Sequence, residues 1–196
     1  MIGRQWDSAS VADCLVTVPT AGTTKVQTRN YKAARRFPVI DQGRNQIAGW
    51  TDDEGAVINA PFPLIVFGDH TRAFKFVKRS FARGADGIQL LRPKSGIDPL
   101  FFYACRAIDL PARGYNRHFT ILKEKELTFP RDIDEQAAIA EVLRRTEHTL
   151  GKQAQILRAL HDLKRATMRQ LFTCGLRGEA QKDRRTEGQR DRADAE

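Results

Sequence analysis

Hydrophobic positions follow two regimes along the chain. Up to about residue 132, short apolar runs alternate with Gly, Pro, Asn and Asp. Phe37-Pro38-Val39-Ile40 is closed by Asp41-Gln42-Gly43, and Leu64-Ile65-Val66-Phe67 by Gly68-Asp69. Gly87-Ile88-Gln89-Leu90-Leu91 is closed by Arg92-Pro93. Runs of this length, rich in β-branched and aromatic residues and bounded by turn formers, predict strands. Asp98-Pro99 then opens a predicted helix over 100–107. Asp98 offers a capping carboxylate, and Pro99 takes the first helical position, where an N–H would have no partner anyway.

The second regime runs from 133 to about 173, with no Pro and a single glycine, Gly151. Apolar side chains recur there at spacings of three and four: Ile139, Leu143, Leu150, Leu157, Leu160 and Leu171. Thr146, Gln153, Lys164 and Thr167 fill the same register, and Val142, Ile156 and Leu163 form a flanking line. This predicts one long helix, with Asp134 as its N-terminal cap. At about 1.5 Å per residue it is a rod of about 60 Å, longer than a domain of this size covers. Its apolar stripe therefore calls for another helix, in a coiled coil. The competing arrangement is a helix folded back over its own domain. Residues 175–196 are polar and charged, and are expected to be disordered because they bury too little surface to offset chain entropy.

The reading is thus an α+β chain: a mixed domain over 1–132, a long helix over 133–174 and a charged tail over 175–196. Hydrophobic residues make up 41% of the chain, enough for one compact core. The formal net charge is +9. The tail from 177 onward holds six basic and six acidic residues, leaving 27 basic and 18 acidic residues before it. The surplus belongs to the folded part and suits a polyanion, nucleic acid first. Three widely spaced cysteines, Cys14, Cys105 and Cys174, give no disulfide frame and fit a reducing compartment. No apolar run approaches the roughly 20 residues of a membrane span, and the N-terminus lacks the apolar core of a signal peptide. The expected location is the cytoplasm.

Catalytic signatures fail. Asn59-Ala60-Pro61-Phe62 is superficially like the Asn-Pro-Pro-Tyr/Phe element of adenine methyltransferases, but it lacks the first proline and an upstream Gly-x-Gly loop. It reads as a turn. No Glu-x-Lys triplet completes a nuclease site, and no Gly-rich phosphate loop ends in Lys-Ser/Thr. His70, His118, His148 and His161 have no recognised ligand spacing, so no metal is expected.

Two basic clusters with interleaved aromatics carry more. The first is Gly68-Asp69-His70-Thr71-Arg72-Ala73-Phe74-Lys75-Phe76, and the second is Arg113-Gly114-Tyr115-Asn116-Arg117-His118-Phe119. Arg and Lys suit phosphates and guanine, and Asn and Thr suit other base edges. In the first, His70, Thr71, Arg72 and Lys75 are the candidate DNA contacts. In the second they are Arg113, Tyr115, Asn116, Arg117 and His118. Asp69 is expected to brace a turn, and Phe74, Phe76 and Phe119 to pack inside. The competing reading of each cluster is a solvated charged loop.

These clusters sit within a longer pattern. Pro38 to Trp50 (PVIDQGRNQIAGW), Val66 to Arg72 (VFGDHTR), Phe81 to Gly87 (FARGADG) and Arg113 to Phe119 (RGYNRHF) stand in order. Leu122-Lys123, Phe129-Pro130 and Glu135-Gln136 follow, and Trp6 with Val11-Ala12-Asp13-Cys14 precedes them. Together they resemble the specificity subunit of type I restriction–modification systems, from about residue 6 to 173. The resemblance implies a target recognition domain that reads one half of a split duplex DNA target, and adds Arg83 to the candidate contacts. It implies a helix that pairs antiparallel with another as a ruler. It also implies docked methyltransferase subunits that bring S-adenosylmethionine, joined in some assemblies by a motor–nuclease subunit. The chain itself would hold no cofactor and no active site. The usual family chain carries two recognition domains and two helices, whereas this sequence has one of each. A half-subunit pairing with itself or with a second half, and a truncated product, both fit. Two readings from other classes remain: a repressor or antitoxin with a dimerising helix, and a small nuclease or methyltransferase with unfamiliar motifs.

Overall fold

The computed structural model describes residues 5–20, 22–85, 87–107, 110 and 118–175. The chain divides into two compact units, Met1–Arg144 and Arg145–Glu196. Among the described residues the first holds three small sheets and two short α-helices, besides the start of a long one. Strand β1 (Trp6–Ser10) pairs antiparallel with β9 (Glu126–Pro130). Strands β2 (Leu15–Val16), β8 (Ile88–Pro93), β5 (Leu64–Gly68) and β6 (Phe74–Val77) form a four-stranded antiparallel sheet in that order. Strands β4 (Gly49–Thr51), β3 (Phe37–Ile40) and β7 (Ala82–Arg83) form the third, with β7 parallel to β3.

The β5 sequence explains its place. It is central, bonded to β8 on one side and β6 on the other, and every residue in it is buried. Ile65 and Phe67 point into one apolar cluster with Val11, Leu91, Phe102 and Leu122. Leu64 and Val66 point into a second with Ile40, Ile58, Phe81 and Ile88. A strand buried on both faces needs an unbroken apolar run, because successive side chains face opposite sides.

Helix α1 (Pro99–Ala104) begins as the sequence predicts: Asp98 Oδ1 accepts from Phe101 N at 2.8 Å, with Pro99 first in the helix. It ends early, passing into a 3-10 turn at Cys105–Ala107. Strand β8 runs on through Arg92 and Pro93 because β2 pairs with both, so this pair does not close the strand as expected. Helix α2 (His118–Glu124) is not predicted by the sequence pattern, and its residues His118 and Phe119 belong to the second basic cluster.

Helix α3 (Ile133–Cys174) is 42 residues long. Its cap is Asp132 rather than Asp134: Asp132 Oδ1 accepts from Asp134 N at 2.9 Å, and Asp132 O accepts from Gln136 N at 3.1 Å. Its first three turns belong to the first unit. There Ala140 is buried and Gln136 is fully enclosed. Gln136 Nε2 donates to Gly96 O at 2.9 Å and Pro130 O at 2.8 Å, and its Oε1 accepts from Asp98 N at 2.8 Å. Ile139 is half-buried. Leu143, Leu150, Leu157, Leu160 and Leu171 are exposed, as are Val142, Ile156 and Leu163. Both lines of the predicted apolar stripe therefore face solvent in the single chain. Among the described residues no helix is long and apolar enough to cross a membrane. The tail expectation falls on 176–196, outside the described residues.

Candidate nucleic-acid interface

The turn between β5 and β6 carries the first basic cluster. Gly68 N donates to Ala73 O and Arg72 N to Gly68 O, each at 2.8 Å. Gly68 is required by space: a Cβ there would lie 2.7 Å from Gln42 O. Arg72 takes a left-handed backbone, φ 59°, unusual for a residue with a side chain. His70 and Arg72 are exposed on this turn, and Thr71 is partly so.

Asp69 works beneath the turn. It is nearly buried, and its N–H donates to Gly87 O at 2.7 Å. Its Oδ1 accepts from Phe119 N at 2.8 Å, satisfying an N–H at the start of α2. Its carbonyl accepts from His118 Nδ1 at 2.7 Å, which fixes the Nδ1–H form of that ring. On the other side, Arg72 Nη1 donates to Leu110 O at 2.6 Å. The same turn thus bonds both Leu110 and His118. His118 and Phe119, the described end of the second basic cluster, therefore meet the first at Asp69, 49 and 50 residues earlier in sequence. Arg113, Tyr115, Asn116 and Arg117 lie outside the described residues.

A second layer supports the turn. Asp41-Gln42-Gly43 closes β3, with Asp41 Oδ1 accepting from Gly43 N at 2.8 Å. The Thr71 hydroxyl donates to Gln42 O. Lys75, on β6, is only 2% exposed and donates to Asp41 O at 2.7 Å, with Asp41 Oδ1 at 3.6 Å. Burial holds its ammonium below the ordinary lysine range, and the Asp41 carboxylate pulls the other way. Tyr31 accepts from Ala85 N at 3.1 Å and donates to Asp41 Oδ2 at 3.5 Å; burial pushes its phenol up. Gly84 N donates to Ile40 O at 2.9 Å, and a Cβ on Gly84 would meet the Tyr31 hydroxyl at 2.7 Å.

Three of the motif strings, 38–50, 66–72 and 81–87, therefore pack around one turn, 41–43. Of the sequence candidates, His70, Thr71 and Arg72 share the surface. Lys75 and His118 are buried and committed to the carbonyls of Asp41 and Asp69. Arg83 stands on β7, half-buried, and lines a separate cavity. Arg44 and Asn45, exposed just past the 41–43 turn, were not singled out. Their signal was available: a charged and an amide residue directly after an Asp-Gln-Gly turn. Among the described residues no group of three or more His, Cys, Asp or Glu can hold a metal ion.

No family model and no curated protein sequence matches the chain. Solved structures do. The S subunit of a type I restriction–modification system from M. genitalium superposes with a TM-score of 0.55 at 18% identity, over 92% of this chain and 49% of that one. A chain from a type I R-M system, solved to address complex assembly and conformational transition, gives 0.60 at 14% identity, over 87% and 46%. The HsdS subunit from Thermoanaerobacter tengcongensis gives 0.50 at 15% identity, over 90% and 47%. The chain has the fold of a type I S subunit. It spans about half the length of the solved S-subunit chains it matches. The β-rich domain followed by a long C-terminal helix is thus the S-subunit architecture, in agreement with the α+β expectation.

Proposed function

We propose that this chain is a DNA specificity subunit of a type I restriction–modification complex. Its domain reads one half of a split duplex target, and the complex it joins includes methyltransferase subunits. The observation that carries this reading is the superposition of about nine-tenths of the chain on half of an S subunit. The basic turn at 68–72, bonded to Leu110 and His118, supports His70, Thr71 and Arg72 as the reading surface, and the sequence of 113–117 adds Arg113, Tyr115, Asn116 and Arg117 to it. Lys75 and His118 support that surface from beneath. The chain is non-catalytic in this reading, S-adenosylmethionine belongs to the methyltransferase subunit, and a motor–nuclease subunit is a further partner. The exposed stripe of α3 pairs with a second helix.

The test is DNA binding by the chain assembled with its host methyltransferase subunit. Affinity falls steeply with added salt, since each neutralised phosphate releases counterions. Arg72→Ala weakens specific binding by about 1–3 kcal/mol if the guanidinium reads a base. His70→Ala reports on the same turn without touching the Leu110 contact. Unchanged specific binding in both variants would remove this turn from the reading surface. Failure to co-purify with any methyltransferase subunit would remove the assembly role.

A further inference from the structure

A cavity on the first unit has no part in the surface described above. It holds about 330 Å³ and lies between the segment after β2, strand β8 and helix α2. Leu15, Val18, Leu91 and Phe119 supply apolar wall, and Arg83 and Lys123 supply two cations. Among the described residues lining it, none is acidic. The Arg83 Nε is buried and has no hydrogen-bond partner. A buried, unpartnered donor on a charged group is costly, and native structures satisfy nearly all such groups. Lys123 Nζ stands 5.4 Å from the centre of the Phe119 ring, so its charge is held beside the aromatic wall.

We propose that this cavity is a binding site for a phosphate ester with an apolar or aromatic body, of nucleotide size. The volume falls at the lower end of small-ligand pockets, about 300–1,000 Å³. A cavity whose lining carries both a planar guanidinium with an unfilled N–H and an ammonium suits a phosphate: the fork can pair with two oxygens, and the second cation adds to the positive field. The aliphatic wall and Phe119 take the body. A free nucleoside monophosphate and a nucleotide within DNA share this chemistry. Only the second source rests on the DNA-reading proposal.

The experiment follows the Arg83 Nε–H signal in ¹⁵N-labelled full-length chain, assigned by its loss in Arg83→Lys. Inorganic phosphate, thymidine monophosphate and a short duplex are titrated in turn. Thymidine monophosphate shifts the signal and binds more tightly than inorganic phosphate, because the wall adds apolar contact. Arg83→Gln lowers its affinity about tenfold or more, the range for hydrogen bonds to charged groups. Lys123→Gln, on the exposed side, also weakens it and covers the case in which Arg83→Gln does not fold. A signal that moves with duplex alone assigns the site to DNA. A signal that moves with none of the three probes overturns the proposal, as does wild-type affinity for thymidine monophosphate in both glutamine variants. Neither result depends on a methyltransferase subunit or a specific target, so it stands apart from the test of the specificity role.

Discussion

At Lys75 a long charged side chain is folded into the interior, where the Asp41 carbonyl and carboxylate receive it. Desolvation depresses its proton affinity below the ordinary value of 10.5, against the pull of Asp41. The sign of the linkage follows. As pH rises from the folded-state value towards 10.5, the unfolded chain holds the Lys75 proton more firmly than the folded one, so this group adds stability with rising pH. Tyr31 and Cys105 act in the opposite direction in the alkaline range, since burial pushes the tyrosine up and the cysteine to about 11. The contribution of Lys75 is therefore read as a difference. In urea unfolding at pH 7, 9 and 10, wild type gains on Lys75→Met as pH rises; a pH-independent difference would mean the ammonium is not desolvated. The sequence showed Lys75 as one more cation in a basic cluster. Its burial depends on a carbonyl 34 residues earlier, which residue type and local spacing do not report. The burial of His118 is illegible for the same reason: its partner, the Asp69 carbonyl, lies 49 residues away. The exposed His70 and Arg72, by contrast, follow from the turn chemistry of Gly68-Asp69, which is local and legible.

Among the elements, α3 combines one buried anchor with a long exposed face. Gln136 donates both amide N–H groups to Gly96 O and Pro130 O and accepts from Asp98 N, and it ties the helix root to the start of α1. Gln136→Ala strands two buried carbonyls and one N–H, and costs about 3–5 kcal/mol of domain stability at about 1–3 kcal/mol for each unsatisfied group, less what relaxation recovers. Gln153→Ala, on the exposed part of the same helix, changes stability by less than about 0.5 kcal/mol. Equal effects in urea unfolding would show that Gln136 is not the anchor. The opposite end of the helix makes the contrary case. Leu150 and Leu157 are about 60% exposed, and Leu150→Asp or Leu157→Asp leaves the domain folded. Either substitution places an unpaired charge in an apolar seam and disrupts assembly, which sedimentation reads directly. A wild-type chain that stays monomeric with the proposed methyltransferase subunit present would refute the seam. What was legible among the elements follows from how each is stabilised. Central β5 and long α3 announce themselves through continuous or periodic apolar positions. Strands β2 and β7 have two residues each, and β1 pairs with β9 about 120 residues away, so little in their own sequence marks them. Helix α2 carries a bond no local pattern reports: its Phe119 N–H donates to Asp69, 50 residues earlier.

For the whole molecule, the proposed reading of a split target raises the question of where a second recognition domain comes from. The solved S-subunit chains are about twice as long as the region this chain matches. A second copy of these 196 residues is the simplest source of a second domain, and the exposed stripe on α3 offers the surface for it. A two-fold pair uses the same patch on both partners, and its DNA target mirrors that symmetry. In an antiparallel pair of such helices, Thr146, Gln153, Lys164 and Thr167 fall in the seam, and polar seam residues favour one register over its neighbours. One register means one spacing between half-sites. Each base pair added to the spacer also rotates one half-site about the DNA axis relative to the other, so binding tolerates a single spacer length. The prediction is that these 196 residues, expressed with only the methyltransferase subunit, methylate a palindromic split motif with an invariant spacer. Sequencing of methylated positions in that host reads both properties at once. A non-palindromic motif would show that a different half completes the target. Methylation that appears only after a second specificity chain is added would exclude the homodimer, while leaving the recognition domain and its basic turn as they stand.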